Sequence, residues 1–406
     1  MIPKLDNYSK FVGKEIIEKI KQSSYKLAVS DVHITHINAT SSGGGVAEIL
    51  NTHIILMNEL GIETGWRLLK GTHSFFTVTK QFHNALQGAS MKLTPGKKKL
   101  YQDEIERNSI MNHLKHHDLI VVHDPQPLAM IEHYWRKQPW ICRFHIDLSS
   151  PNPQIWKFLM QYIKKYDRVV VSMRKYKKRG LRVPQVIIPP AIDPLSLKNQ
   201  YLPNSKCKRL LSKNGIDPDK PIICQVSRFD RWKDPLGVVR IFRMVKKKIK
   251  DCHLVMIGDV SIDDPESSRI YNKLMDYIEE DEDIHVISKK ADLLVNALQR
   301  RSDVILQNST KEGFALTISE ALWKKTPVVA TKVGGIPLQV INGKTGFLIN
   351  NRKEAAKRCI QLLNDRKLRD KLGEQGKEHV RKNFLITTHL QNYINLYNEV
   401  LFKKNR

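Results

Sequence analysis

Short β-branched runs, each followed by a helical pattern, recur along almost the whole chain in two successive series, and this alternation limits the possible folds more than any other feature. In the first series the predicted strands are Val32–Asn38, Trp66–Leu69, Leu119–His123, Trp140–His145, Arg168–Ser172 and Val186–Pro189. Helical patterns such as Val46–Leu60, closed by Gly61, and Glu104–His117 separate them. In the second series they are Pro221–Val226, His253–Ile257, Ile284–Ile287, Val304–Leu306 and Val328–Ala330. A helical crossover returns the chain to start the next strand in the same direction, so the pattern predicts an α/β protein with parallel sheets covered on both faces. Pro189–Pro194 breaks the alternation and polar residues continue to about Asp219, which predicts an interdomain linker. Leu390, Tyr393, Ile394 and Tyr397 recur at helical spacing near the end, giving residues 387–402 an apolar face to bury. At 406 residues the chain exceeds what one core usually serves. Two doubly wound, Rossmann-like domains are expected, residues 1–195 and 196–384, facing across a cleft where their strand ends meet.

Charge and cysteine content narrow the setting without naming a function. Lys and Arg total 68 against 41 acidic residues, a formal net charge of +27. The basic residues are spread in short groups such as Lys97–Lys99 and Lys246–Lys248, and no nucleic-acid-binding motif organises them. Nucleic acid is therefore not the expected partner, while contact with an anionic membrane surface stays open as a lesser reading. Cys142, Cys207, Cys224, Cys252 and Cys359 are odd in number and scattered, so neither a disulfide framework nor a zinc knuckle is expected. A reducing, cytosolic compartment is the expectation. The opening segment shows no secretory pattern, and no apolar run is long enough to span a bilayer.

Three stretches carry candidate chemistry. Thr40–Glu48 places Gly43, Gly44 and Gly45 between the first strand and the first helix, where backbone amides can approach an anion. A dinucleotide fingerprint would need a small residue at Glu48, so a nicotinamide dehydrogenase is discounted. Gly343–Lys344–Thr345 is no Walker motif, because Leu338 stands where its first glycine belongs; Val340–Ile349 reads as a turn into a short strand. Gln225–Lys233 follows the first strand of the second series, so Arg228 and Lys233 emerge at the carboxyl edge of the sheet, where two cations suit a diphosphate. Glu312–Glu320 follows the strand Val304–Leu306: Gly313 marks a bend, Glu312 is expected in the loop and Glu320 two turns into the next helix. Free amides at that helix start and the two carboxylates suit phosphate and sugar hydroxyls. His145 and Asp147, like His113, His116 and His117, invite a metal reading, but no third ligand accompanies the first pair and no metal site is expected.

Arg228 and Lys233, with Glu312 and Glu320 separated by seven residues, resemble the donor site of retaining GT-B enzymes of glycosyltransferase family 4. The segments SSGGGVAEIL, FHNALQG, VHDPQP, FHIDLSSP and VSRFDRWKD, spread over both domains, resemble more closely the archaeal and bacterial trehalose synthases of the glycosyltransferring type. The resemblance implies a GT-B architecture whose C-terminal helix, about 385–406, crosses back onto the first domain. It implies that Arg228 and Lys233 bind the diphosphate, with Gly44 and Gly45 closing over it. Glu312, with the amides of Gly313 and Phe314, would hold the donor glucose, alongside Leu316 and Thr317, and Glu320 the ribose. His145 would contact the donor glucose from the first domain. Asp124, Gln126 and Asn84, with Gln87 beside it, are the acceptor candidates. Ala315 departs from the family pattern, where glycine is frequent.

The implied reaction joins the glucose of a nucleotide-diphosphate glucose to free glucose, giving trehalose with retention at the donor carbon, with reversal open, with no cofactor or metal, in a homodimeric enzyme. Trehalose phosphorylase and a family 4 transferase with another sugar or lipid acceptor are the nearest alternatives. A non-catalytic, basic protein binding polyanions or membranes is the alternative from another class.

Overall fold

Every predicted strand forms, and the sheets they build are parallel throughout. The computed structural model describes residues 3–40, 44–135, 138–258, 265–289 and 291–402. They divide into two units: Met1–Ala191 with Ile386–Arg406, and Ile192–Leu385. The first unit holds β1 (Ile34–Asn38), β2 (Thr64–Leu68), β3 (Leu119–His123), β4 (Trp140–Arg143), β5 (Arg168–Val171) and β6 (Gln185–Ile187), in the order β2-β1-β3-β4-β5-β6. The second holds β7 (Ile222–Val226), β8 (His253–Gly258), β9 (Ile284–Ser288), β10 (Val304–Gln307), β11 (Val328–Thr331) and β12 (Gly346–Ile349), in the order β12-β11-β10-β7-β8-β9. In each unit the first strand is flanked on one side by its successor and on the other by a later strand. Both sheets are thus doubly wound, with the winding changing side at β1/β3 and at β7/β10. β1, β3 and β4 are buried along their whole length, as strands covered on both faces must be.

The helix Ile386–Phe402 belongs to the first unit, packing on the helices Lys14–Val29 and Gly44–Glu59. It buries Leu390, Tyr393, Ile394 and Tyr397, the face its spacing predicts. Asn398 Nδ2 donates to the Ser23 carbonyl at 2.8 Å, and Arg168 pairs with Glu399 at 3.0 Å.

Two expectations need correction. The helix expected over Glu104–His117 spans Pro95–Asn112, capped by Thr94, whose hydroxyl accepts from the Lys97 amide. His113 ends it in a left-handed conformation (φ 47°), so His113, His116 and His117 do not share a helix face. The boundary between the units, after Ala191, falls within Pro189–Pro194 as expected, but the residues that follow are no linker: Ile192 bridges to Leu385, and Asn204–Ser212 forms a helix. At nine residues that helix is shorter than the stretch over which a helical period can be read, although its buried Cys207 and Leu211 stand at helical spacing.

The first unit's core contains a cluster of imidazoles. His53 is 1% exposed, and both its ring nitrogens lack a hydrogen-bond partner among the described residues. It packs edge-on against His36, His389 and Tyr393. Burial pushes it down to about 3 from 6.5. Below pH 6.5 the unfolded chain therefore binds a proton that the folded state refuses, and stability falls as pH falls. At pH 5 this one residue should disfavour the fold by about 2 kcal/mol. His53→Phe removes that term. In urea titrations the stability of the variant relative to the wild type should be about 2 kcal/mol more favourable at pH 5 than at pH 8. An equal difference at both pH values would show that His53 is protonated in the fold.

Candidate active site

A doubly wound sheet opens a crevice at the carboxyl ends of its strands where the winding changes side, because the two loops there diverge to opposite faces. In the second unit those loops follow β7 and β10. The first ends in the turn Arg231–Lys233, and the second carries Glu312. The two loops are joined by the Thr310 amide donating to the Trp232 carbonyl at 2.7 Å. Gln307 Nε2 donates to the Val226 carbonyl at 2.8 Å, and Gln225 Nε2 to the Lys233 carbonyl at 3.0 Å. Within this frame the Lys233 ammonium meets the Glu312 carboxylate, their side chains only 18% and 11% exposed. Ser309 Oγ lies 3.4 Å from the same carboxylate oxygen and donates to it.

Arg228 stands apart from this pair. Its side chain is 60% exposed and donates to Asp230 at 3.3 Å, while Asp230 also caps the turn by accepting from the Trp232 amide. A concavity at the carboxyl ends of β10, β11 and β12 is lined by Asp234, Ser309, Thr331 and Arg352, the neighbours of the Lys233–Glu312 pair and not the pair itself.

The loop after Glu312 is held from below. Ala315 adopts φ 70°, a left-handed conformation that costs a residue with a Cβ roughly 1 kcal/mol or more and that glycine would adopt without that cost. The strain is sustained because Gln339 Nε2 donates to the Phe314 carbonyl while its Oε1 accepts from Ser319 at 2.6 Å. Phe314 is buried against Phe384. Because Ala315 delays the helix to Leu316–Trp323, Glu320 lies little more than one turn into it, where two turns were expected. Leu316 and Thr317 are half-buried at its start, where amides have no intrahelical acceptor.

Glu320 makes its contacts elsewhere. It is 4% exposed, and Gln299 Nε2 lies 3.4 Å from its carboxylate. The same amide reaches the Thr317 carbonyl at 3.2 Å. Behind it Lys324 donates to Asn199, Gln299 and the Glu320 carbonyl, and burial, opposed by the Glu320 charge, pushes this ammonium down to about 7.

In the first unit the loops at the winding change follow β1 and β3. Gly44 opens the helix Gly44–Glu59 at φ 78°, with Gly45 half-buried beside it; Gly43 lies outside the described residues. Asp124, directly after β3, is also left-handed (φ 62°). Its carboxylate accepts from the His145 amide at 2.8 Å, and burial pushes it up to about 6 against the pull of that amide and of Arg143. Gln126 has a buried Oε1 with no partner among the described residues. Asn84, near the end of the helix His73–Leu86, is half-buried, and its carbonyl accepts from Gln87 and Ala89.

His145 follows β4 with its ring half-buried, and Nε2 lies 2.9 Å from His123 Nδ1. His123 Nε2 in turn lies 2.9 Å from His36 Nδ1. Sequence reading overlooked His36 and His123, although a histidine in each of two neighbouring predicted strands, ITHIN and LIVVH, was a visible signal. Among the described residues no group of three or more His, Cys, Asp and Glu is placed to hold a metal ion.

Comparison with known proteins agrees with this layout. Residues 36–178 match the family model described as trehalose synthase, N-terminal domain, and residues 208–379 match that of glycosyl transferases group 1. The trehalose synthase of Thermococcus litoralis is 44% identical over 400 residues, covering 97% of each chain. That of Rubrobacter xylanophilus is 41% identical over 407 residues, covering 98% of this chain and 97% of its own. The solved sucrose-phosphate synthase of Thermosynechococcus elongatus superposes with a TM-score of 0.69 at 19% identity, over 91% of this chain and 98% of that one. The two doubly wound units thus have the GT-B glycosyltransferase fold.

Gly335 tests the support beneath the loop. A Cβ there would lie 2.7 Å from the Gly313 carbonyl oxygen and 2.9 Å from Phe314 Cα. Gly335→Ala should displace the Gly313–Phe314 backbone and lower turnover by about 10²-fold, the size expected when a loop that positions substrate shifts by about 1 Å. Circular dichroism should remain that of the wild type. Unchanged turnover in a folded variant would show that this loop does not position the substrate.

Proposed function

The chain belongs to the trehalose synthase family of glycosyltransferases, and on that premise we propose that it transfers glucose from a nucleotide-diphosphate glucose to free glucose, forming trehalose with retention at the donor carbon. The observation that carries the reading is the Lys233–Glu312 pair at the β7/β10 junction, a cation and a carboxylate held side by side by two linked loops. Lys233, with Arg228 swinging from Asp230, neutralises the diphosphate as it leaves. Glu312 accepts hydrogen bonds from the donor glucose hydroxyls, and the amides following Gly313 add donors. Gly44 and Gly45 let backbone amides approach the same phosphates, and Glu320 is assigned to the ribose. In the first unit His145 takes the donor sugar, and Asp124, Gln126 and Asn84 the acceptor. Oxygen acceptors and donors of this kind suit glucose, a ligand made almost wholly of vicinal hydroxyls.

In the proposed reaction the bond between the anomeric carbon and the phosphate oxygen breaks. The acceptor hydroxyl forms its bond on the same face, and its proton passes to the departing diphosphate. No enzyme nucleophile is invoked. Catalysis then rests on positioning and on stabilising charge that appears only in the transition state. Because two cations supply the counter-charge, we assign no metal to the reaction. The mechanism is that of glycosyltransferase family 4. The five buried thiols suit a reducing compartment, the cytosol.

Product analysis tests the reading with three mixtures: nucleotide-diphosphate glucose with glucose, the same donor with glucose phosphate, and trehalose with inorganic phosphate. The proposal expects a non-reducing disaccharide from the first alone; glucose phosphate formed in the third would make the enzyme a phosphorylase. Glu312→Gln should depress kcat by about 10²-fold with the fold intact. Lys233→Met should weaken both nucleotide binding and turnover, without rescue by added divalent cation. Wild-type activity abolished by EDTA would contradict the assignment of the counter-charge.

A further inference from the structure

A file of polar rings runs from the C-terminal helix to His145. Tyr397 Oη lies 3.3 Å from His36 Nε2, His36 Nδ1 lies 2.9 Å from His123 Nε2, and His123 Nδ1 lies 2.9 Å from His145 Nε2. Tyr397 is fully buried, and His36 and His123 are each 1% exposed. Burial above all, with the neighbouring rings and, for His123 and His145, Arg143, holds the three imidazoles well below their ordinary range. They are neutral at pH 7.

A neutral imidazole has one N–H and one lone pair, so every hydrogen bond in such a file fixes the next. Only two arrangements place one proton in each contact. In the first, Tyr397 donates to His36, His36 Nδ1–H donates to His123, and His123 Nδ1–H donates to His145 Nε2. The proton of His145 then sits on Nδ1. In the second every donor is reversed, and His145 Nδ1 carries a lone pair.

Tyr397 decides between them. Its hydroxyl has His36 Nε2 as its one partner among the described residues. In the reversed arrangement its own proton would be buried without an acceptor, which is costly. In the first arrangement every contact within the file holds one proton and the buried hydroxyl has an acceptor; the one N–H left over is that of His145 Nδ1, at the half-buried end of the file. The His145 backbone is fixed as well, because its amide donates to Asp124 Oδ1 at 2.8 Å.

We propose that Tyr397, His36 and His123 are positioning residues that hold His145 as the Nδ1–H tautomer, so that it presents the sugar with a hydrogen-bond donor and not with a base. His145 Nδ1 has no partner among the described residues. As a donor it pairs with a hydroxyl oxygen of the sugar, and it has no lone pair there with which to remove a proton from the acceptor. The C-terminal helix thereby sets the chemistry of a group 252 residues before Tyr397 in sequence. The role in catalysis rests on the reading of His145 given under Proposed function; the tautomer does not.

Nitrogen-15 NMR of the full chain labelled at histidine reads the tautomer directly, with the His145 signals assigned by His145→Gln. The expected result is a protonated Nδ1 and an unprotonated Nε2 at pH 7. The converse pattern overturns the proposal whatever disaccharide the enzyme makes. Kinetics test the positioning role. Tyr397→Phe removes the deciding proton and should lower kcat about tenfold with the donor KM nearly unchanged, the loss of one hydrogen bond in the transition state. His123→Leu should do the same, while His123→Asn, whose Nδ2 replaces the Nδ1 donor, should restore most of the rate. Wild-type kcat in a folded Tyr397→Phe enzyme, or no difference between His123→Asn and His123→Leu, would overturn the role of the file.

Discussion

The pairing of β7 with β10 brings the loop carrying Lys233 against the loop carrying Glu312, 79 residues later in the chain. Neither loop alone would fix its charged side chain. A lysine released after a strand end samples many rotamers, and a glutamate in an irregular loop is usually solvated. Here Gln225 and Gln307, each within a buried strand, extend the order of the sheet into the loops by donating to backbone carbonyls. Two charges that are mostly desolvated then face each other, and each prevents the other from being an unpaired buried ion. The same desolvation that makes the pair costly to break makes it responsive to a diphosphate and a sugar, which offer an anion to the lysine and hydroxyl donors to the glutamate.

The first unit solves a different problem. Its strands β1 and β3 bury histidines in place of aliphatic residues, and the cost is carried as neutral imidazoles whose protons have only one satisfied order. The cluster costs stability at low pH, and the file from Tyr397 to His145 is what that cost supports. The C-terminal helix is therefore more than a cover for the apolar faces of Lys14–Val29 and Gly44–Glu59. It supplies the hydroxyl that orders the file.

Most of the architecture was legible because periodicity in this chain is clean. All the strands in IICQV, HLVMIG and VILQ announce themselves as β-branched runs, and the face Leu390, Tyr393, Ile394 and Tyr397 is the one buried. The helix Asn204–Ser212 was missed because its nine residues are too few for a period to be read, and the helix from Pro95 was started late because its first turns are rich in lysine. Within the site, Arg228, Lys233, Glu312 and Glu320 were all expected in one donor site from resemblance, with Arg228 and Lys233 aimed at one point; Lys233 meets Glu312, whereas Arg228 rests on Asp230 and Glu320 on Gln299. Their spacing says which loop each residue occupies, not which neighbour it meets. That depends on the strand register and on left-handed turns such as that at Ala315, which a local pattern cannot show. The imidazole file was beyond reach for the same reason, since its members come from two strands, a loop and a helix far apart in sequence.

The central claim is that Lys233 and Glu312 act as one unit in glucosyl transfer. A double-mutant cycle on kcat for trehalose formation, using Lys233→Met, Glu312→Gln and the pair, tests it most directly. If they act together, the double variant should be scarcely slower than the slower single variant. If the two losses multiply, each residue works alone and the account of the site is wrong.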